Sequence, residues 1–142
     1  MWLDEYSQSH KNKMNKLIHN ICVPLIMFSI LGFFHIIPTP QFLNFSFFTI
    51  YWSYLFVTMC LVFYAMLSSV TAIKMLILTT VMLIPIHLIA QHQELYALPI
   101  FSAIFILSWL GQFIGHKIEG KKPSFFQDLQ FLLIGPLWVF KF

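Results

Sequence analysis

The sequence has 142 residues, of which 59% are hydrophobic and only 9% are charged. Soluble domains carry about 25% charged residues, and a small domain in water cannot bury this much apolar surface because its surface-to-volume ratio is high. The net charge of +3 comes without any arginine, whereas a nucleic-acid-binding domain needs a dense basic face. The composition therefore predicts a single integral membrane domain over residues 1–142, in contact with the lipid bilayer and not with nucleic acid.

Four long apolar runs follow a polar segment at residues 1–20. They lie near residues 21–37, 42–67, 70–90 and 95–114. Each run approaches the ~20 residues that cross the ~30 Å hydrocarbon layer as a helix, and lipid offers no partners to an open backbone. A fifth apolar stretch, residues 125–142, is interrupted by polar residues, glycine and proline. We expect an all-α bundle of about four transmembrane helices, a polar N-terminal helix and a C-terminal interfacial or re-entrant helix.

Lysines mark both ends of this set of runs. Lys11, Lys13 and Lys16 precede the first run, and Lys117, Lys121 and Lys122 follow the fourth. Four crossings place both groups on one side, which the positive-inside rule makes cytoplasmic. The sequence thus predicts cytoplasmic termini, in a bacterial inner membrane or an endoplasmic reticulum membrane, while His92 falls on the opposite side if every run spans.

Two polar clusters flank the apolar runs. The first contains Tyr6, His10, Asn15 and His19, and the second contains Gln112, His116 and Glu119. Residues three or four apart share a face of a helix, so each cluster includes side chains that lie together. Ionisable groups in or beside a membrane are functional candidates, and the predicted topology places both clusters at the same membrane face.

The three histidines of these clusters, His10, His19 and His116, suggest a metal site. Neutral imidazole suits iron, zinc, copper and nickel. The residues alone leave a second interpretation open, in which these are hydrogen-bonded structural histidines. His10 and His19 are nine residues apart and face opposite ways on a straight helix, so a shared site needs a bend between them. His35 and His87, inside apolar runs, are interpreted as structural.

Two sequence blocks resemble the signatures of a known family. The first block contains Tyr6, His10 and the stretch from Asn15 through His19 to Pro24. The second runs from Trp109 through Gln112 to Gly115-His116, continues with Glu119 and Lys121-Lys122-Pro123, and extends through Asp128 and Leu129 to Pro136. Together they are similar to the iron-dependent 2-hydroxy fatty acid dioxygenases of fatty acid α-oxidation, which are small membrane proteins. The resemblance covers nearly the whole chain.

The resemblance implies a reaction and a site. A 2-hydroxy long-chain fatty acid and molecular oxygen would give a fatty acid one carbon shorter, with Fe(2+) as cofactor. It implies that His10, His19 and His116 are catalytic iron ligands and that His92 is a further metal ligand. Substrate-contacting or supporting positions would be Tyr6, Asn15, Gln112, Glu119, Lys121 and Lys122. The sequence makes no prediction of oligomeric state.

Other functions remain as alternatives. A membrane hydroxylase or desaturase would show paired histidine boxes, which this sequence lacks. A haem- or metal-binding membrane protein without this activity is a second alternative, and a bis-histidine haem would give a strong visible absorption band. A small transporter or assembly factor is a third, although the middles of the second and third runs carry few polar residues.

Overall fold

The computed structural model describes residues 13–119 of the chain. Four α-helices occupy this range, and no strand is found within it: α1 is Lys13–Ile36, α2 is Trp52–Leu67, α3 is Ser69–His92 and α4 is Glu94–Glu119. The predicted all-α class is confirmed. Of the polar N-terminal segment predicted at residues 1–20, the structure describes residues 13–20, which form the start of α1. Residues 1–12 and the expected interfacial segment at 125–142 lie outside the described residues.

Three of these helices are long and apolar enough to cross a membrane. They are Lys13–Ile36, Ser69–His92 and Glu94–Ile118, with mean hydropathies of 2.0, 2.1 and 1.9. The remaining helix, α2, is also apolar but has only 16 residues. At 1.5 Å per residue it is roughly 24 Å long, which is shorter than the ~30 Å hydrocarbon layer.

The second helix begins at Trp52, whereas the predicted run begins near Phe42. Two prolines, Pro38 and Pro40, precede this region and cannot donate the backbone hydrogen bonds that would continue a helix. The chain instead forms a short 3-10 helix at Gln41–Leu43 and a β-bridge between Asn44 and Thr49. Hydropathy cannot distinguish an apolar turn of this kind from the start of a helix.

A single extended residue, Ser68, separates α2 from α3. Its backbone N–H donates to the Tyr64 carbonyl at 3.0 Å, and its carbonyl accepts from the Ala72 N–H at 3.1 Å. One residue thus makes the last backbone hydrogen bond of α2 and the first of α3. This tight connection lets α2 and α3 pack against each other as a helical hairpin.

The chain divides into two compact units. The first unit contains the described residues 13–27 and 103–119, and the second is Phe28–Ser102. In the second unit, Phe101 is fully buried and its ring lies 6.0 Å from the ring of Phe28 and 6.5 Å from that of Phe33. A Cβ at Gly32 would fall 2.5 Å from the Phe101 ring. The close packing of Phe101 therefore depends on glycine at position 32.

We expect Gly32→Ala to destabilise the protein. Alanine gains about 1 kcal/mol in helix propensity over glycine, but overpacking a core typically costs about 1–3 kcal/mol, and the Phe101 ring that the new methyl group would meet is fully buried. The measurement is thermal unfolding in detergent. A Gly32→Ala/Phe101→Leu variant should lose less stability than the sum of its single changes, and strictly additive effects would contradict the contact.

Candidate functional site

The first unit contains four buried polar side chains from the two predicted clusters. Asn15 and His19 lie on α1, and Gln112 and His116 lie on α4. Their exposed fractions are 0%, 3%, 5% and 8% respectively. Burying polar side chains in an apolar bundle is unfavourable unless they have hydrogen-bonding or ligand partners, which makes this group the leading candidate for a functional site.

Two glycines of α4 allow α1 to approach closely. A Cβ at Gly111 would lie 2.5 Å from Cys22 Sγ, and a Cβ at Gly115 would collide with Asn15 Oδ1. Small residues let helix backbones approach one another in membrane proteins. Gly115 therefore makes the space that Asn15 fills beside His116.

One hydrogen bond orients the His19 ring. Its Nδ1 lies 3.1 Å from the backbone oxygen of Asn15, and because a carbonyl can only accept, Nδ1 must carry the proton and donate. The neutral ring then keeps its lone pair on Nε2. Metal-binding histidines are typically oriented by a bond of this type, so this contact is compatible with metal ligation through Nε2.

His19 and His116 lie next to each other. Their ring centroids are 5.7 Å apart, and the planes meet at 86° in an edge-to-face arrangement. Gln112, one helical turn before His116, has a buried side-chain oxygen with no hydrogen-bond partner among the described residues. The site thus combines two imidazoles with an amide acceptor, and such an acceptor could receive a hydrogen bond from a bound hydroxyl or water.

The structure describes only some of the other predicted site residues. Tyr6, His10, Lys121 and Lys122 lie outside the described residues, and Glu119 is described only as the last residue of α4. His92 is an exposed residue at the end of α3 and belongs to the second unit. Within residues 13–119, no group of three His, Cys, Asp or Glu side chains could hold a metal ion. The assignment of His92, and of the residues outside this range, as metal ligands stays a prediction.

The second unit contains a polar cluster that the sequence did not predict. His35 Nδ1 lies 2.8 Å from Ser53 Oγ, and His35 Nε2 lies 3.1 Å from His87 Nδ1. The ring of Tyr51 stacks on His35 with centroids 4.1 Å apart. Each residue alone resembles an isolated polar group in an apolar run, and separations of 18 and 52 residues leave no local signal of the contacts.

Comparison with known proteins identifies relatives of the whole chain. Residues 1–142 match the Mpo1-like family, described as 2-hydroxy-palmitic acid dioxygenase Mpo1-like. A curated protein of Saccharomyces cerevisiae (strain ATCC 204508 / S288c), named 2-hydroxy-palmitic acid dioxygenase MPO1, is 29% identical over 137 residues, which are 94% of this chain and 72% of the yeast protein. No solved structure matches.

Proposed function

The chain belongs to the Mpo1-like family, and we propose that it is an iron-dependent dioxygenase of 2-hydroxy fatty acids in a membrane. The substrate would be a 2-hydroxy long-chain fatty acid, and the product a fatty acid one carbon shorter. The observation that carries the proposal is the buried pair His19 and His116, because both histidines fall in the two sequence blocks that resemble the dioxygenase family.

The two buried histidines provide a ligand type that suits a ferrous ion. Neutral imidazole is a common iron ligand, and His19 has an Nδ1–H bonded to the Asn15 carbonyl that leaves Nε2 as the ligating atom. We propose that His19 and His116 hold the ion together with His10, and that His92 is a further ligand. Two imidazoles alone would not complete an iron site, so the proposal requires further ligands besides His19 and His116.

The protein side chains would bind and orient the substrate. The ferrous ion would supply the electrons that allow molecular oxygen to react. Gln112 Oε1 is a buried acceptor able to take a hydrogen bond from the 2-hydroxyl, and Lys121 or Lys122 would pair with the carboxylate. The exposed apolar flanks of α1 and α4 would keep the acyl chain in lipid. Correct orientation of the reacting groups can lower a barrier by several kcal/mol.

The test is oxygen uptake by the iron-loaded protein with 2-hydroxypalmitate, together with analysis of the acid formed. If the carboxyl carbon leaves as carbon dioxide, one oxygen molecule per substrate balances the shorter acid, carbon dioxide and water. We expect uptake and shorter acid in equal amounts, and neither with palmitate, which lacks the hydroxyl. Oxygen uptake of the same size with palmitate, or with no shorter acid formed, would contradict the proposal.

Gln112→Met tests whether the Gln112 amide contributes to activity or to stability. Methionine has a similar shape, and an unpartnered buried amide costs about 1–3 kcal/mol, so we expect the unfolding temperature to stay level or rise. Turnover of 2-hydroxypalmitate should fall at least about tenfold, which corresponds to ~1.4 kcal/mol. A stable variant with unchanged turnover would remove Gln112 from the site.

A further inference from the structure

A groove between α2 and α3 in the second unit has a volume of about 550 Å³. Val57 and Leu61 of α2 and Leu83 of α3 form part of its apolar wall, and His87 lines it as well. Ligand sites for small molecules usually measure about 300–1,000 Å³ and combine apolar walls with a few polar groups. This groove therefore has the size and composition of a ligand site.

The threonine hydroxyls of the wall, including that of Thr79, donate to backbone carbonyls of their own helices. Thr58 Oγ1 donates to the Tyr54 carbonyl at 2.8 Å, and Thr80 Oγ1 donates to the Leu76 carbonyl at 2.7 Å. Because these hydroxyls bond within their own helices, the wall suits a hydrocarbon chain. The lining residues on α3 run from Leu76 to Leu88, which is roughly 18 Å at 1.5 Å per residue.

His87 forms the polar end of a short hydrogen-bond chain. Ser53 Oγ, His35 and His87 Nδ1 are linked in that order at 2.8 and 3.1 Å, and His87 Nε2 has no partner among the described residues. If His35 Nε2 donates to His87, then His87 Nε2 carries a proton; if His87 donates, Nε2 carries a lone pair. Proton shifts along this chain let His87 Nε2 act as donor or acceptor.

The position of this cluster suits an amphiphile head group. His35 is in the last turn of α1, His87 is near the end of α3, and Tyr51 and Trp52 stand at the start of α2. Ends of membrane helices and their aromatic residues lie at the interface with water. No Asp or Glu belongs to this cluster or to the groove wall, so nothing there repels a carboxylate.

We propose that this groove binds one long-chain fatty acid, with its carboxyl group at His87 and its chain along Val57, Leu61 and Leu83. A carboxylate would accept from protonated Nε2, and a neutral carboxyl group would donate to the lone pair. A single groove takes one acyl chain, which favours a fatty acid over a two-chain phospholipid. The proposal does not rest on the assignment of iron to His19 and His116.

The experiment is photocrosslinking of the full chain in lipid nanodiscs, without added iron, to palmitate that carries a diazirine near its methyl end. We expect labelled peptides that contain residues 54–61 and 76–88, competed by palmitate but not by 1-hexadecanol, which has the chain without the acid. His87→Leu should reduce labelling of these peptides at least tenfold, and His87→Gln, which keeps a hydrogen-bonding group, should reduce it less.

Leu83→Trp should also reduce labelling because it fills the groove while leaving His87 in place. Thermal unfolding of each variant distinguishes a loss of labelling from a loss of fold. Leu83→Trp provides the second variant if His87→Leu does not fold. Equal competition by 1-hexadecanol or by phosphatidylglycerol would overturn the proposal, as would labelling of the two peptides that is unchanged in His87→Leu and Leu83→Trp.

Discussion

Alanine at His19 or at His116 is expected to abolish iron retention and to lower turnover of 2-hydroxypalmitate by more than about 100-fold. Loss of a residue that only supports a metal ligand already costs about 10–100-fold, and these two imidazoles are proposed as ligands. His19 is also the ring that is oriented by its bond to Asn15. The measurement is iron content after anaerobic loading and desalting, followed by oxygen uptake.

His87→Ala is the matched control for this prediction. It removes an imidazole from another helix of the same chain, in the second unit, and should leave iron content unchanged. Full iron loading in both His19→Ala and His116→Ala would refute the assignment. Equal loss of iron in His87→Ala would show instead that the measurement responds to general damage of the bundle.

Gly115→Ala is expected to weaken iron binding at least tenfold even though it adds only a methyl group. The added Cβ would collide with Asn15 Oδ1, and Asn15 is fully buried. A shift of the Asn15 backbone that relieves this collision would displace the carbonyl that accepts from His19 Nδ1. Overpacking should also lower the free energy of unfolding by about 1–3 kcal/mol, measured by unfolding in detergent.

A second substitution makes this prediction specific. Asn15→Ala removes the colliding oxygen but keeps the backbone carbonyl, so the Asn15→Ala/Gly115→Ala variant should recover much of the iron affinity that Gly115→Ala loses. Residues in contact show such coupling, whereas distant residues give additive effects. Additive losses of iron affinity in the double variant would contradict the contact between residues 15 and 115.

Local periodicity was sufficient to predict much of the candidate site. The four-residue spacings of Asn15 and His19 and of Gln112 and His116 predicted shared helix faces, and in the structure all four side chains are buried. The resemblance to the dioxygenase family is confirmed by the family match over residues 1–142. Both inferences rest on the identity and spacing of residues along the sequence and need no knowledge of contacts between helices.

Features that depend on contacts between distant segments were not predictable in this way. The role of Gly115 depends on which helix packs against α4, and the cluster of Ser53, His35 and His87 joins three helices. The start of α2 at Trp52 depends on hydrogen bonds in the turn that precedes it. Hydropathy contains none of this information, because an apolar turn and an apolar helix have the same composition.

The most direct test of the central claim is the iron content of the anaerobically loaded, desalted protein, compared with the same chain carrying both His19→Ala and His116→Ala. Imidazole ligands suit iron, and the proposed site predicts about one ferrous ion per chain in the unsubstituted protein and almost none in the double variant. Equal iron in the two proteins would contradict an iron site at His19 and His116.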